Sequence, residues 1–155
     1  MAVTKISVQP PKRTQARTYL YPPVMAKQTV HDCEANVDYF ATVVALDRHG
    51  NVMEGSLEGT KAASRFEIPG SKSNSVTPIF SFTDLSISYP GTFVIRVDVY
   101  KFSPGNYAGA TLVQQLHSRP IAVYDNPVPY EGPTHEERSF MRKAQDAGIA
   151  FPAFR

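Results

Sequence analysis

Asp38-Tyr39-Phe40-Ala41-Thr42-Val43-Val44-Ala45-Leu46, followed by Asp47-Arg48-His49-Gly50-Asn51, is the stretch that decides the fold. Side chains of an extended chain alternate between two faces. Tyr39, Ala41, Val43 and Ala45 fall on one face, and Phe40, Thr42, Val44 and Leu46 on the other. Both faces are apolar, the mark of a strand in the middle of a packed sheet. The polar group 47–51 is a turn. Residues 52–57 are then expected as the return strand of a hairpin.

Downstream, residues 59–75 are polar and interrupted by Gly and Pro, which predicts a long loop. Residues 76–88 regain strand character, but neither face is uniformly apolar, so a bulge or break is expected at Asp84. After the Pro90-Gly91 turn, residues 92–102 alternate cleanly, with Phe93, Ile95, Val97 and Val99 inward. Ser103-Pro104-Gly105-Asn106 is another turn, and 111–116 and 120–124 complete the downstream strands. Upstream, residues 5–8 and Val24–Val30 read as strands. Between them lie the Pro-rich polar run PPKRTQAR and the break at Tyr21-Pro22-Pro23, since a residue before Pro is held extended. One short helix is expected at 134–148. Thr134 and Glu137 form a capping box, each side chain satisfying a free backbone N–H of the first turn. Gly148 closes the helix, and Phe140, Met141, Ala144 and Ala147 give it one apolar stripe to pack on the sheets.

The pattern predicts an all-β protein, an immunoglobulin-like antiparallel β-sandwich of seven or eight strands with a short C-terminal helix. At 155 residues the chain fits one domain, 1–155. Its expected parts are a basic, Pro-containing segment 1–23, a sandwich 24–133 and the helix 134–148. A domain of this size buries about 68–70% of the surface its unfolded chain exposes, enough for a core without staples. Eight Tyr and nine Phe can fill that core in the absence of Trp. Cys33 is the single cysteine, which excludes an intramolecular disulfide framework. No signal-like start, no apolar run of membrane-spanning length and no Asn-x-Ser/Thr site is present, so a nuclear or cytoplasmic setting is expected.

Charge is unevenly spread along the chain. Residues 1–31 hold Lys5, Lys12, Arg13, Arg17 and Lys27 with no acid, while the rest holds eleven bases and fourteen acids. A +5 segment on a −3 body is either a solubilising arm or an edge that faces a polyanion. Lys12, Arg13, Arg17 and Lys27 are the candidate DNA-binding cations, because long cationic stems reach phosphate and Arg adds bidentate geometry. Tyr19 is the candidate ring for packing on sugar or base, with Tyr21 nearby.

Other chemistry finds little footing. His31 and Cys33 are two residues apart, but no orienting acid accompanies them, and a lone Cys is more often a small buried hydrophobe. His31, His49, His117 and His135 are dispersed without metal-ligand spacing. No carboxylate pair or phosphate loop stands out. No catalysis, metal, cofactor, small-molecule substrate or membrane partner is expected.

Several segments together resemble the velvet domain, a family of fungal regulators. The Asp38–Leu46 stretch with Asp47, then Leu57-Glu58-Gly59, looks like its core. Phe80-Ser81-Phe82-Thr83-Asp84-Leu85-Ser86-Ile87 resembles its Phe-x-Asp-Leu-Ser segment, and 91–100 the strand that follows. Ser118-Arg119-Pro120-Ile121-Ala122-Val123-Tyr124 is similar to its Ser-x-x-Phe-x-Val-Tyr strand. Tyr130-Glu131-Gly132, Ser139, Ala147-Gly148-Ile149 and Arg155 follow its closing pattern, and Val8-Gln9-Pro10, Ala16-Arg17 and Pro22-Pro23-Val24 its start. The resemblance implies a Rel-homology-like fold and dimerisation with itself or with another velvet protein. It also implies binding to double-stranded DNA, nuclear work, and control of development, sporulation and secondary metabolism. The chain departs from the family where a longer Lys/Arg-rich loop usually precedes the Pro-Pro, since Arg17 is followed directly by Thr18-Tyr19-Leu20-Tyr21. That shortening opens a second expectation, an interaction subunit that reaches DNA only through a partner. An unrelated immunoglobulin-like binding domain is the third.

Overall fold

The computed structural model describes residues 2–30, 37–72, 74–102 and 109–152. Among them lie twelve strands and one helix. The four-stranded sheet runs β1 (Ala2–Val8), β3 (Val24–Val30), β8 (Val76–Phe82), β7 (Phe66–Pro69), all antiparallel. The larger sheet runs β2 (Arg13–Gln15), β12 (Ile121–Tyr124), β10 (Gly91–Phe102), β4 (Asp38–Leu46), β6 (Ala62–Ser64), with β11 (Thr111–His117) also on β10. A two-stranded ladder joins β5 (Leu57–Glu58) to β9 (Ser86–Ile87). The two large sheets face each other. Val24, Phe80 and Phe82 from one meet Tyr39, Ala41, Val43, Ile95 and Val97 from the other in one buried core. The fold is an all-β sandwich with a short C-terminal helix.

β4 is central, between β10 and β6, as its two apolar faces require. Its Tyr39-Ala41-Val43-Ala45 face is buried in the core, and on the other face Phe40, Thr42 and Val44 are half-buried and Leu46 is buried. β10 is long enough to carry two neighbours in succession on one edge, β12 at Gly91–Phe93 and β11 at Arg96–Lys101. Ser118 covers the gap between them: its N–H donates to the Ile95 carbonyl (2.8 Å) and its Oγ accepts from the Ile95 N–H (3.0 Å).

The helix, α1 (His135–Asp146), has the expected capping box. Thr134 Oγ1 accepts from the Glu137 N–H, and Glu137 Oε1 accepts from the Thr134 N–H. Beyond it, the chain passes through Gly148 at φ +117°. Met141 and Ala144 are buried with Val8, Met25, Ile68 and Ile79, and Phe140 and Ala147 pack against that cluster. The helix thus covers the outer side of the four-stranded sheet. This explains the double burial of β8: Phe80 faces the other sheet and Ile79 faces the helix.

Three expectations fail, the first being the strand count, since twelve strands stand among the described residues where seven or eight were expected. The chain does turn after β4, with an isolated bridge from Leu46 to Val52, but residues 52–57 form no return strand on β4. Only Leu57–Glu58 is extended, and it pairs with β9. The place beside β4 is taken by β6, which lies with β7 inside the segment 59–75 expected as a loop. The break near Asp84 is real, dividing 76–88 into β8 and β9. There Asp84 receives the Thr60 N–H (2.9 Å) and hydroxyl (2.8 Å), which fastens the chain after β5 to the chain before β9. The Ser103–Asn106 turn lies outside the described residues.

Candidate nucleic-acid interface

The basic N-terminal segment is built into the body rather than laid on it as an arm. β1 is an edge of the four-stranded sheet, and β2 pairs in parallel with β12 of the larger one. Between them, Gln9 donates its N–H to Glu137 Oε2 of α1 (2.8 Å), and Gln9 Oε1 accepts from the Arg119 N–H (3.0 Å). Arg119 Nε donates to the Pro10 carbonyl (2.9 Å), and the Lys12 N–H to Glu131 Oε1 (2.6 Å). After β2 the chain crosses from β12 to β9. Ala16 N–H donates to Tyr124 O, Arg17 N–H to Ile87 O and Leu20 N–H to Leu85 O, at 2.7 to 2.8 Å. Ala16 and Leu20 are buried, so the residues between them are turned outward on fixed backbone.

This crossing forms one wall of an open cleft of about 1010 Å³. The opposite wall is the Pro-rich stretch 127–131. Arg13, Arg17 and Tyr19 line it together with Tyr21 and Tyr130, whose rings are stacked at 6.2 Å and 19°. Arg17 holds φ +64°, a left-handed conformation that costs a residue with a Cβ about 1–2 kcal/mol. Its backbone is fixed to Ile87, and its guanidinium is steered by the Ser88 carbonyl (3.1 Å) and by Asp125 (3.7 Å). Such strain persists where the surroundings impose it, often at functional sites. Burial, then the neighbouring Tyr130 phenol, pushes the Tyr21 hydroxyl above its ordinary value. It stays protonated, and so a hydrogen-bond donor, throughout the neutral range.

Arg13, Arg17 and Tyr19 are thus brought together. Lys12 is exposed at the neighbouring position but does not line the cleft. Lys27 is elsewhere: it sits half-buried on β3, opposite Lys5 on β1 and Ile79 on β8, on the helix side of the four-stranded sheet. Two acids adjoin the arginines. Asp125 pairs with Arg17, and Glu131 accepts the Lys12 N–H with Arg119 at 3.9 Å. Sequence reasoning about the basic cluster missed Tyr130. A lone aromatic among prolines, in Pro127-Val128-Pro129-Tyr130, was the available signal, and it is 72% exposed.

His31 and Cys33 lie outside the described residues. Among the described residues no three His, Cys, Asp or Glu side chains group to hold a metal ion, and no helix is long and apolar enough to cross a membrane. No protein-family model and no curated protein matches this sequence.

Proposed function

We propose that this chain is a velvet-type regulator that dimerises and binds double-stranded DNA, with Arg13 and Arg17 on the phosphate backbone and Tyr19 against sugar or base. The observation that supports it is the meeting of two strand-anchored arginines and an aromatic row in one open cleft. Guanidinium groups on rigid backbone suit bidentate phosphate contact, and backbone contacts supply most of the sequence-independent affinity for DNA. The segmental resemblance extends the reading to a nuclear regulator of fungal development, sporulation and secondary metabolism.

The test is duplex-DNA binding by Arg13→Gln/Arg17→Gln. Loss of a charge-assisted contact weakens binding by about tenfold per arginine. Arg17→Gly separates binding from folding. Glycine tolerates the positive φ without steric cost, so this variant should melt no lower than the parent and still bind DNA more weakly. Parent-like affinity in the double variant would remove the cleft from the DNA-contact role.

A second reading, the interaction subunit that works through a partner, draws on a different surface. On the outer side of the larger sheet Phe40 stacks on Tyr100 (5.0 Å) and lies 6.0 Å from Phe102. Leu112 stands opposite Tyr100, 45% exposed. An apolar patch on an exposed sheet face suits a second velvet-like subunit. This reading predicts a stable dimer but no DNA affinity of the chain's own.

A further inference from the structure

Tyr21, stacked on Tyr130, forms a ridge that lines two basic hollows. One is the cleft holding Arg13 and Arg17. The other, about 310 Å³, lies between Tyr21, the exposed side of α1 and the chain beyond it. Arg138 and Arg142 stand four residues apart on the same helix face, with Gln145 one turn further, and all three are exposed. Met141 and Phe151 supply the apolar part of the lining. No carboxylate lines this hollow, unlike the first cleft, where Glu131 does. Glu137, the residue before Arg138, is already engaged by the Gln9 and Thr134 N–H groups. Arg138 also reaches the ridge: a Cβ placed on Gly132 would be 3.0 Å from the Tyr130 hydroxyl and 3.4 Å from Arg138 Nη2.

We infer that the nucleic-acid track continues over this ridge onto α1, and that the Arg138–Arg142 hollow takes a backbone phosphate of the same duplex. The inference rests on the DNA reading of the cleft and assigns it a second, separable contact. Two guanidiniums on one helix face, with a neutral amide beside them and no carboxylate in the lining of the hollow, offer donors to a phosphodiester, and Asp146, beyond Gln145, is the acid on their flank.

The test is the salt dependence of duplex binding for five proteins: the intact chain, Arg138→Gln/Arg142→Gln, Arg138→Lys/Arg142→Lys, Arg13→Gln/Arg17→Gln, and Lys143→Gln. Lys143 is an exposed cation on the same helix outside the hollow. Each phosphate contact contributes about −0.9 to the slope of log affinity against log salt. Arg138→Gln/Arg142→Gln should make the slope shallower by about 1, while Lys143→Gln stays near the parent. A charge-keeping Arg138→Lys/Arg142→Lys variant should retain the slope and guards against a folding artefact. If the helix variant keeps the parental slope while the cleft variant loses slope, the extension is wrong and the cleft reading stands. An equal fall in Lys143→Gln would replace the hollow with diffuse charge. No binding by the intact chain would overturn both readings.

Discussion

Gly59 has φ +116°, and a Cβ there would lie 2.5 Å from the Asp84 carbonyl oxygen, so both backbone and space require glycine. Leu57-Glu58-Gly59 and Asp84-Leu85-Ser86 thus owe their identities partly to each other, across a separation that no local pattern spans. Asp47 is the opposite case, a local device legible in the turn 47–51. Its Oδ1 accepts the N–H of Asn51 (3.0 Å) and of His49 (2.8 Å). The Asn51 N–H, and then that of His49, hold the carboxyl below its ordinary 3.8. A depressed folded-state value adds stability that is present above the unfolded value and lost as pH falls through the folded one. Asp47→Asn should therefore melt below the parent at neutral pH, with the gap closing below pH 3.8, as followed by thermal melts across pH. A gap independent of pH would show that the charge of Asp47 plays no part. At this scale Arg13, Arg17 and Tyr19 were recognisable as a basic and aromatic cluster. That Lys27 stands apart was not, because the chain changes sheets between Arg17 and Lys27.

The helix was readable because all of its signals are local: cap, first-turn acids, apolar stripe and closing glycine. The same locality makes its energetics predictable. Thr134→Ala should cost about 1 kcal/mol by removing one half of the capping box. Met141→Ala should cost about 2 kcal/mol or more, because it opens a cavity among Val8, Met25, Ile68 and Ile79. Denaturant melts measure both, and a Met141 cost near zero would mean that α1 is not packed on the four-stranded sheet. β4 and β10 were readable for a related reason, since nine and twelve residues carry enough alternation to identify a strand. β5, β6, β7 and β9 hold two to four residues each, too few for a period. Their partners were therefore set by tertiary placement, and a hairpin inferred from adjacency gave way to the β4–β6 and β5–β9 pairings.

Across the whole molecule, the two sheets are stitched by polar links as well as by the core. The Gln114 side-chain amide of β11 pairs with both the N–H (2.9 Å) and the carbonyl (2.6 Å) of Thr4 on β1, occupying the edge of the smaller sheet as a strand would. Arg65 donates to Gln28 Oε1 (3.1 Å) and lies 5.1 Å from the centre of the Tyr39 ring. The sandwich itself was legible from strand alternation and turn spacing. The candidate site was legible only in part, because the far wall of the cleft, with Tyr130, comes from the end of the chain and meets Arg13 and Arg17 only through folding. The central claim is that this surface binds duplex DNA. Fluorescence anisotropy of the intact chain on duplex DNA, across a salt series, tests it most directly. The account predicts measurable low-salt affinity and a slope of about −3 or steeper in log affinity against log salt. No binding at low salt would contradict it and leave the reading in which the chain works through a partner subunit.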